Sequence, residues 1–183
     1  VSLYKEKKER EDELLEYGEV HPTLLGFRAK KPFSIATLKV GKVKQQMLLM
    51  PKGYFEMGSL PGVPGITEDE QPAHKVFITR PFWILNSQVS QKLYQAIIGR
   101  NPSRFQGSDR PVEQVSWQDA IQFCNALSFR DNLQPCYEIN PEDEESVRWN
   151  RTASGYRLPT EAEWEYVAKA GKNYLYSGSN SLD

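Results

Sequence analysis

The side chains with the widest chemical repertoire in this sequence are two cysteines, Cys124 and Cys136, and two histidines, His21 and His74. A cysteine pair can close a disulfide, cycle as a redox couple or hold a soft metal. The latter two need a thiolate, stabilised by a nearby cation, histidine or metal. Cys124 lies in WQDAIQFCNALSF, where Trp117, Ala120, Ile121, Cys124 and Leu127 recur on one helical face. A free cysteine in that setting behaves as a small buried hydrophobe. Cys136 sits in LQPCYEI, on a loop entering a strand, and neither thiol has a cation or histidine beside it in sequence. The expectation is two packed thiols, ahead of a Cys124–Cys136 disulfide and further ahead of redox or copper chemistry. A bridge here would close a short loop, stabilise modestly and require a non-reducing compartment.

Carboxylates offer the second kind of chemistry. Glu68-Asp69-Glu70 and the run Glu142 to Glu145 read as solvated loops first and cation sites second. Ser177, Ser179, Asn180 and Asp183 are oxygen-bearing, but their spacing is not that of a calcium loop. Asn150-Arg151-Thr152 fits the glycosylation pattern, which matters only in a secretory pathway. Glu161 and Glu163 follow Arg157 in RLPTEAEWEY. Pro159 drives Leu158 out of helical geometry, Thr160 caps, and the two acids meet the positive end of the helix dipole. Arg157 is placed to fork onto Glu161 or Glu163, and Trp164, Val167 and Ala168 form the apolar face. These residues read as structural; acid–base catalysis would need a cleft that the sequence does not display.

The elements that position these groups follow from periodicity and punctuation. The chain has 183 residues, 23 Lys+Arg against 24 Asp+Glu, and 39% hydrophobic residues. Its mean hydropathy is −0.62. This is the profile of a globular chain able to build a core without staples. Near-neutral bulk charge gives no field for nucleic acid, and no run reaches the roughly 20 apolar residues needed to span a bilayer. Residues 1–20 read as a charged helical arm or linker, with YKEKKEREDELLEY as its body. Period-two patterning from Pro32 predicts a strand meander through FSIATLKV, VKQQMLLM and GYFEMGS, with Gly41 and Gly53 at turns, and AHKVFITRPFWIL is again strand-like. Three helices follow: from Ser90 to a stop at Gly99, from Ser116 with Asp119 as capping-box acid, and from Thr160 with Glu163, ending at Gly171. Residues 132–158 read as a long irregular excursion, and the whole as α+β.

Several blocks carry a family resemblance in order: LLMPKGYFEMGS, PAHKVFITRPFWI, NPSRFQGSDRPVEQVSWQDAIQFCNALS and GYRLPTEAEWEYVAKAG. Together they resemble the formylglycine-generating-enzyme (sulfatase-modifying factor) domain family over residues 46–183, leaving 21–183 as a partial domain after the arm. The resemblance implies a loop-rich, C-type-lectin-like α+β fold. Ser116, Trp117, Arg157, Thr160, Glu161, Glu163 and Trp164 are its structural motif residues. It also implies that the catalytic cysteine pair, the bound copper and most of a calcium loop lie in a later segment, so the chain reads as truncated at its C-terminus. Cys124 and Cys136 do not match the catalytic positions. Gln88 stands where the family commonly has Glu, which removes a charge. Two histidines are too few for the three-histidine iron site of related sulfoxide synthases.

The expectation is therefore a non-catalytic or separately completed module that binds a protein or peptide through its loops, with no cofactor of its own. Calcium or copper would enter only with the later segment. The alternatives are part of a copper oxidase acting on a sulfatase cysteine, or a regulatory or targeting domain of a larger signalling protein. A second chain completing the domain, through a strand the early strands lack, is a further partner expectation. Compartment is left open, leaning cytoplasmic.

Overall fold

The computed structural model describes residues 4–5, 34–59 and 67–171. The elements are β1 (Tyr4–Lys5), β2 (Ile35–Val40), β3 (Val43–Met50), β4 (Gly53–Met57), a 3-10 turn (Glu68–Glu70), β5 (His74–Ile78) and β6 (Phe82–Leu85). Then come α1 (Gln91–Ile98), α2 (Trp117–Arg130), β7 (Tyr137–Asn140), β8 (Asp143–Trp149), β9 (Tyr156–Arg157) and α3 (Glu161–Lys169). The arrangement is mixed α+β, with elements grouped in two compact units.

The first unit holds residues 4–5, 34–49 and 82–159 of those described. Its sheet runs β2-β3-β6-β1-β9. The expected alternation holds in β2, where Leu38 and Val40 are buried and their neighbours Thr37 and Lys39 are not. Gly41, at φ 56°, takes the left-handed turn into β3. β1 pairs antiparallel with both β6 and β9, so Tyr4–Lys5 is strand where a helical arm is expected. The rest of that arm lies outside the described residues.

Helices α1 and α2 supply the core. Ser90 accepts from the Leu93 amide, and Gly99, at φ 85°, ends α1 as expected. Ser116 and Asp119 close a capping box on α2. Leu93, Ile121, Cys124 and Leu127 are fully buried, and Tyr94 stacks on Phe123 at 5.2 Å. Each such side chain contributes roughly 1.5–3 kcal/mol through removal from water.

Residues 132–158 are less irregular than expected. Tyr137 to Asn140 pairs with Asp143 to Trp149 as a hairpin, with a bulge at Ile139/Asn140. The acids of the turn hide a period-two pattern in which Tyr137, Ile139, Val147 and Trp149 alternate with Glu138 and Arg148.

The second unit holds residues 50–59, 67–81 and 160–171 of those described. β4 does not continue the meander of β2 and β3; it pairs with β5 in a separate two-stranded sheet, Gly53 opposite Ile78. α3 packs on it: Tyr166 meets Phe55 at 5.5 Å, Glu165 accepts from the Gly58 amide at 2.8 Å, and Lys169 Nζ donates to the carbonyl oxygens of Glu56 and Gly58. The Thr160–Glu163 capping box forms as predicted. The left-handed close of the helix begins at Ala170 (φ 46°), one residue before the expected Gly171.

Candidate functional site

The connection from α1 to α2 must leave a helix that Gly99 has stopped and turn at Asn101-Pro102, whose proline forbids helix at Asn101. A connection of mostly polar chain would fold loosely without internal support. That support comes from Gln91, the first residue of α1, which is 1% exposed. Its Nε2 donates to the carbonyls of Phe105 (2.9 Å) and Pro111 (3.2 Å). Its Oε1 accepts from Asn101 Nδ2 (2.9 Å) and the Gly107 amide (3.0 Å). All four positions of one amide are thereby used. Asn101 Oδ1 accepts from the Ser103 amide (3.2 Å), and Ser103 Oγ accepts from the Glu113 amide (3.1 Å). The Gln91 and Lys92 amides donate to the carbonyls of Arg110 and Ser108.

Phe105 stands at the centre of this lattice. Its amide donates to Glu113 Oε1 at 2.8 Å and its carbonyl accepts from Gln91, so both main-chain groups are fixed. Its ring is 61% exposed, with the Arg104 guanidinium 5.5 Å from the ring centre. An apolar side chain is thus held out into water on a backbone that has little freedom to withdraw it.

A second cluster lies on the β7–β8 hairpin. Tyr137 is the cross-strand partner of Trp149, which puts both on one face. Trp117 meets Tyr137 edge-on at 6.3 Å. Asn125 fixes the backbone of Tyr137 from α2: Nδ2 donates to its carbonyl (2.7 Å) and Oδ1 accepts from its amide (3.2 Å). The Tyr137 hydroxyl accepts from the Leu158 amide at 3.0 Å. Two guanidiniums, of Arg151 and Arg157, lie 4.8 Å and 5.3 Å from the centre of the Trp149 ring.

The residues singled out in the sequence are dispersed. Cys124 and Cys136 are not joined in a disulfide and are buried, 0% and 1% exposed. Burial pushes the Cys124 thiol well above its usual range, with Cys136 adding to the effect, so it stays protonated and unreactive. Gln88 is exposed, and it is its carbonyl that accepts a bond, from Gln45 Nε2 at 2.8 Å. Arg157 donates to the Leu158 carbonyl at 3.0 Å besides stacking on Trp149. Thr160 and Glu163 cap α3, and Glu161 is exposed on its first turn. Two expected core positions are corrected: Trp117 is 51% and Trp164 56% exposed, while Phe123 and Tyr166 take the buried places. Trp117 is the first residue of α2, where a side chain has no preceding turn to lie against. His74 is exposed on β5, and His21 lies outside the described residues. Among the described residues no group of three His, Cys, Asp or Glu is placed to hold a metal ion, and no helix is long and apolar enough to cross a membrane. Sequence reasoning missed Gln91, Gln45, Asn125, Tyr137 and Trp149. The available signal was an amide at the first position of a capped helix preceding a break.

The blocks quoted from the sequence fall in these elements in order, and the model of the sulfatase-modifying factor enzyme 1-like domain matches residues 35–183. The chain belongs to that family. The match begins at the start of β2, earlier than the residue-46 start of the sequence resemblance. Among curated relatives, the chain is 45% identical over 117 residues to the chaperone protein LppX of Paenibacillus barcinonensis, covering 56% of this chain and 42% of that protein. It is 29% identical over 154 residues to the formylglycine-generating enzyme of Streptomyces coelicolor, covering 69% of this chain and 49% of the enzyme. The chain thus spans half or less of the length of these two relatives. Among solved structures, Treponema denticola variable protein 1 superposes with a TM-score of 0.73 at 32% identity, covering 83% of this chain and 62% of that one. PvdO from Pseudomonas aeruginosa gives 0.56 at 27% identity, covering 78% and 53%. These neighbours support the C-type-lectin-like α+β architecture of the family.

Proposed function

We propose that this formylglycine-generating-enzyme-like module works as a binding scaffold that takes a protein or peptide through its loops. The observation that carries the reading is Phe105: an exposed aromatic ring on a backbone whose amide and carbonyl are both fixed by side chains. Binding energy concentrates in such aromatic anchors, and a loop ordered in advance loses little entropy on association. The two cysteines of the chain support the same reading, since both are buried thiols unsuited to attack on oxygen or substrate. The name of the Paenibacillus relative, a chaperone, is in keeping with a role in contacting protein. The proposed scaffold role calls on no cofactor.

Panning the 183-residue chain against a displayed peptide library tests this. Enriched peptides are expected to bind Phe105→Ala about 30-fold more weakly or worse, the loss of a hot-spot residue, at an unchanged thermal midpoint. Peptides that bind the variant equally well would remove Phe105 from the site. The rival reading, part of a copper oxidase, is checked separately by copper uptake and by aldehyde formation on a cysteine-containing sulfatase peptide. Either activity in this chain would overturn the non-catalytic assignment.

A further inference from the structure

The loop that carries Phe105 also carries two exposed arginines, and the anchoring role proposed for the ring leaves their charge unused. Resting on that role, we infer that the partner is an acidic peptide segment, one that lays an apolar side chain on Phe105 and sets carboxylates against Arg104 and Arg110.

The acids around the loop are already engaged. Lys92 pairs with Asp109, and Arg100 with Asp119 at 2.9 Å. Of the ionised side chains from α1 to the first turn of α2, that leaves Arg104, Arg110 and Glu113. Glu113 is committed to the loop main chain, its Oε1 accepting from the Phe105 amide at 2.8 Å. Among the described residues no carboxylate pairs with Arg104 or Arg110. The surface around the ring therefore has a surplus of positive charge, although the chain as a whole has a formal charge of −1.

Both cations are also held in place. The Arg104 guanidinium lies 5.5 Å from the Phe105 ring centre, within reach of the ring's electron-rich face. The Arg110 amide donates to the Gly107 carbonyl and the Arg110 carbonyl accepts from the Gln91 amide, each at 2.9 Å. The stem of Arg110 lies over Gly107, where a Cβ would come to 2.8 Å from its Cδ and 2.9 Å from its Cγ, so a glycine is what admits it. The Phe105 and Pro111 carbonyls share Gln91 Nε2, which joins the residue after Arg104 to the residue after Arg110 at one nitrogen. Guanidinium forks match the two oxygens of a carboxylate, and charge complementarity of this kind selects the partner and speeds encounter. Nucleic acid is the poorer match, because its binding draws on many phosphate contacts and two cations supply few.

The probes are peptides enriched by panning the 183-residue chain and weakened by Phe105→Ala, each compared with a copy resynthesised with Asn and Gln in place of its Asp and Glu. The enriched peptides are expected to hold more Asp and Glu than the starting library, beside an apolar residue. Arg104→Gln and Arg110→Gln should each weaken them about threefold and the double variant about tenfold, at an unchanged thermal midpoint. The neutral copies should bind the unaltered chain and the double variant equally. Near 1 M salt, where the screening length is about 3 Å, most of the tenfold difference should vanish. Phe105-dependent peptides without an excess of acids, or ones that bind the double variant as tightly as the unaltered chain, overturn the acidic partner and leave the Phe105 anchor standing. Peptides indifferent to Phe105→Ala, or none enriched, overturn both. A labelled oligothymidylate that binds more tightly than the peptides, and is released by the double variant, would give the two arginines to nucleic acid and overturn the peptide.

Discussion

Replacing Gln91 by glutamate sets two physical expectations against each other. Gln91 is the first residue of α1, where a negative charge gains about 0.3–1 kcal/mol from the helix dipole. On helix rules alone the substitution stabilises. In the folded chain, however, Gln91 Nε2 faces the carbonyls of Phe105 and Pro111, and a carboxylate there turns two hydrogen bonds into two oxygen–oxygen contacts. At about 1–3 kcal/mol for each buried group left unpaired, less the dipole gain, the net loss at neutral pH is about 1–6 kcal/mol. With a urea slope of about 2 kcal/mol per molar, the midpoint should fall by about 0.5–3 M without a change in slope. The pH dependence gives a second check. The two carbonyls favour the protonated form, which raises the folded pKa of the introduced carboxyl above its unfolded value of about 4.3. The folded state then binds more protons, so the deficit against the unaltered chain widens as pH rises from about 4.3, by about 1.4 kcal/mol per unit, until the raised pKa is passed. A Gln91→Glu variant equal to or more stable than the unaltered chain at neutral pH, or a deficit that stays flat from mildly acidic to mildly basic pH, would refute the assignment of Gln91 as the organiser of the loop.

Three further outcomes are expected. At Gly155 a Cβ would press on the Gln134 carbonyl oxygen and on Ser128 Oγ, which itself donates to the Cys124 carbonyl and accepts from the Tyr156 amide. Gly155→Ala should therefore cost about 3 kcal/mol in thermal or urea unfolding, and a neutral result would mean that this corner yields freely. Burial, reinforced by its hydrogen bond to Asp131, pushes the Tyr156 phenol far above its ordinary range, and burial lifts Tyr166 to about 12. Above about pH 10 the unfolded chain loses these protons first, so stability should fall by up to about 1.4 kcal/mol per unit for each phenol. Tyr156→Phe should flatten that slope, and an unchanged slope would contradict it. Finally, Cys124 and Cys136 should resist a thiol reagent in the native chain and react together on unfolding; fast native labelling would show that the thiols are reachable.

The parts of the fold legible in the sequence were those fixed by local chemistry. Ser116 with Asp119 and Thr160 with Glu163 announced α2 and α3, and Gly99 announced the end of α1, because caps act within a single turn of the groups they satisfy. Trp117 and Trp164 were misplaced because a helical wheel gives an angle and not what lies opposite it; Trp117 faces Tyr137, on another element, and sits half in water. The β7–β8 hairpin was hidden by acids whose polarity outweighed the alternation of Tyr137, Ile139, Val147 and Trp149. The residues of the candidate site were the least legible. Gln91 is read as a surface amide by composition, and its importance comes from carbonyls 14 and 20 residues away that only the folded chain brings to it. Arg157 stands out in the sequence beside Glu161 and Glu163, whereas Trp149 and Arg151 meet only in the folded chain.

The loop between α1 and α2 takes its shape from a residue that is not in it. Gln91 bonds to main-chain atoms of Phe105, Gly107 and Pro111, and to the Asn101 side-chain amide, but to none of the exposed side chains at 104, 105, 108 and 110. Contour and chemistry are consequently under separate control. Replacements at those four positions would redraw what the loop presents while its path stays set from beneath, so the buried amide separates the loop's backbone course from the side chains it carries.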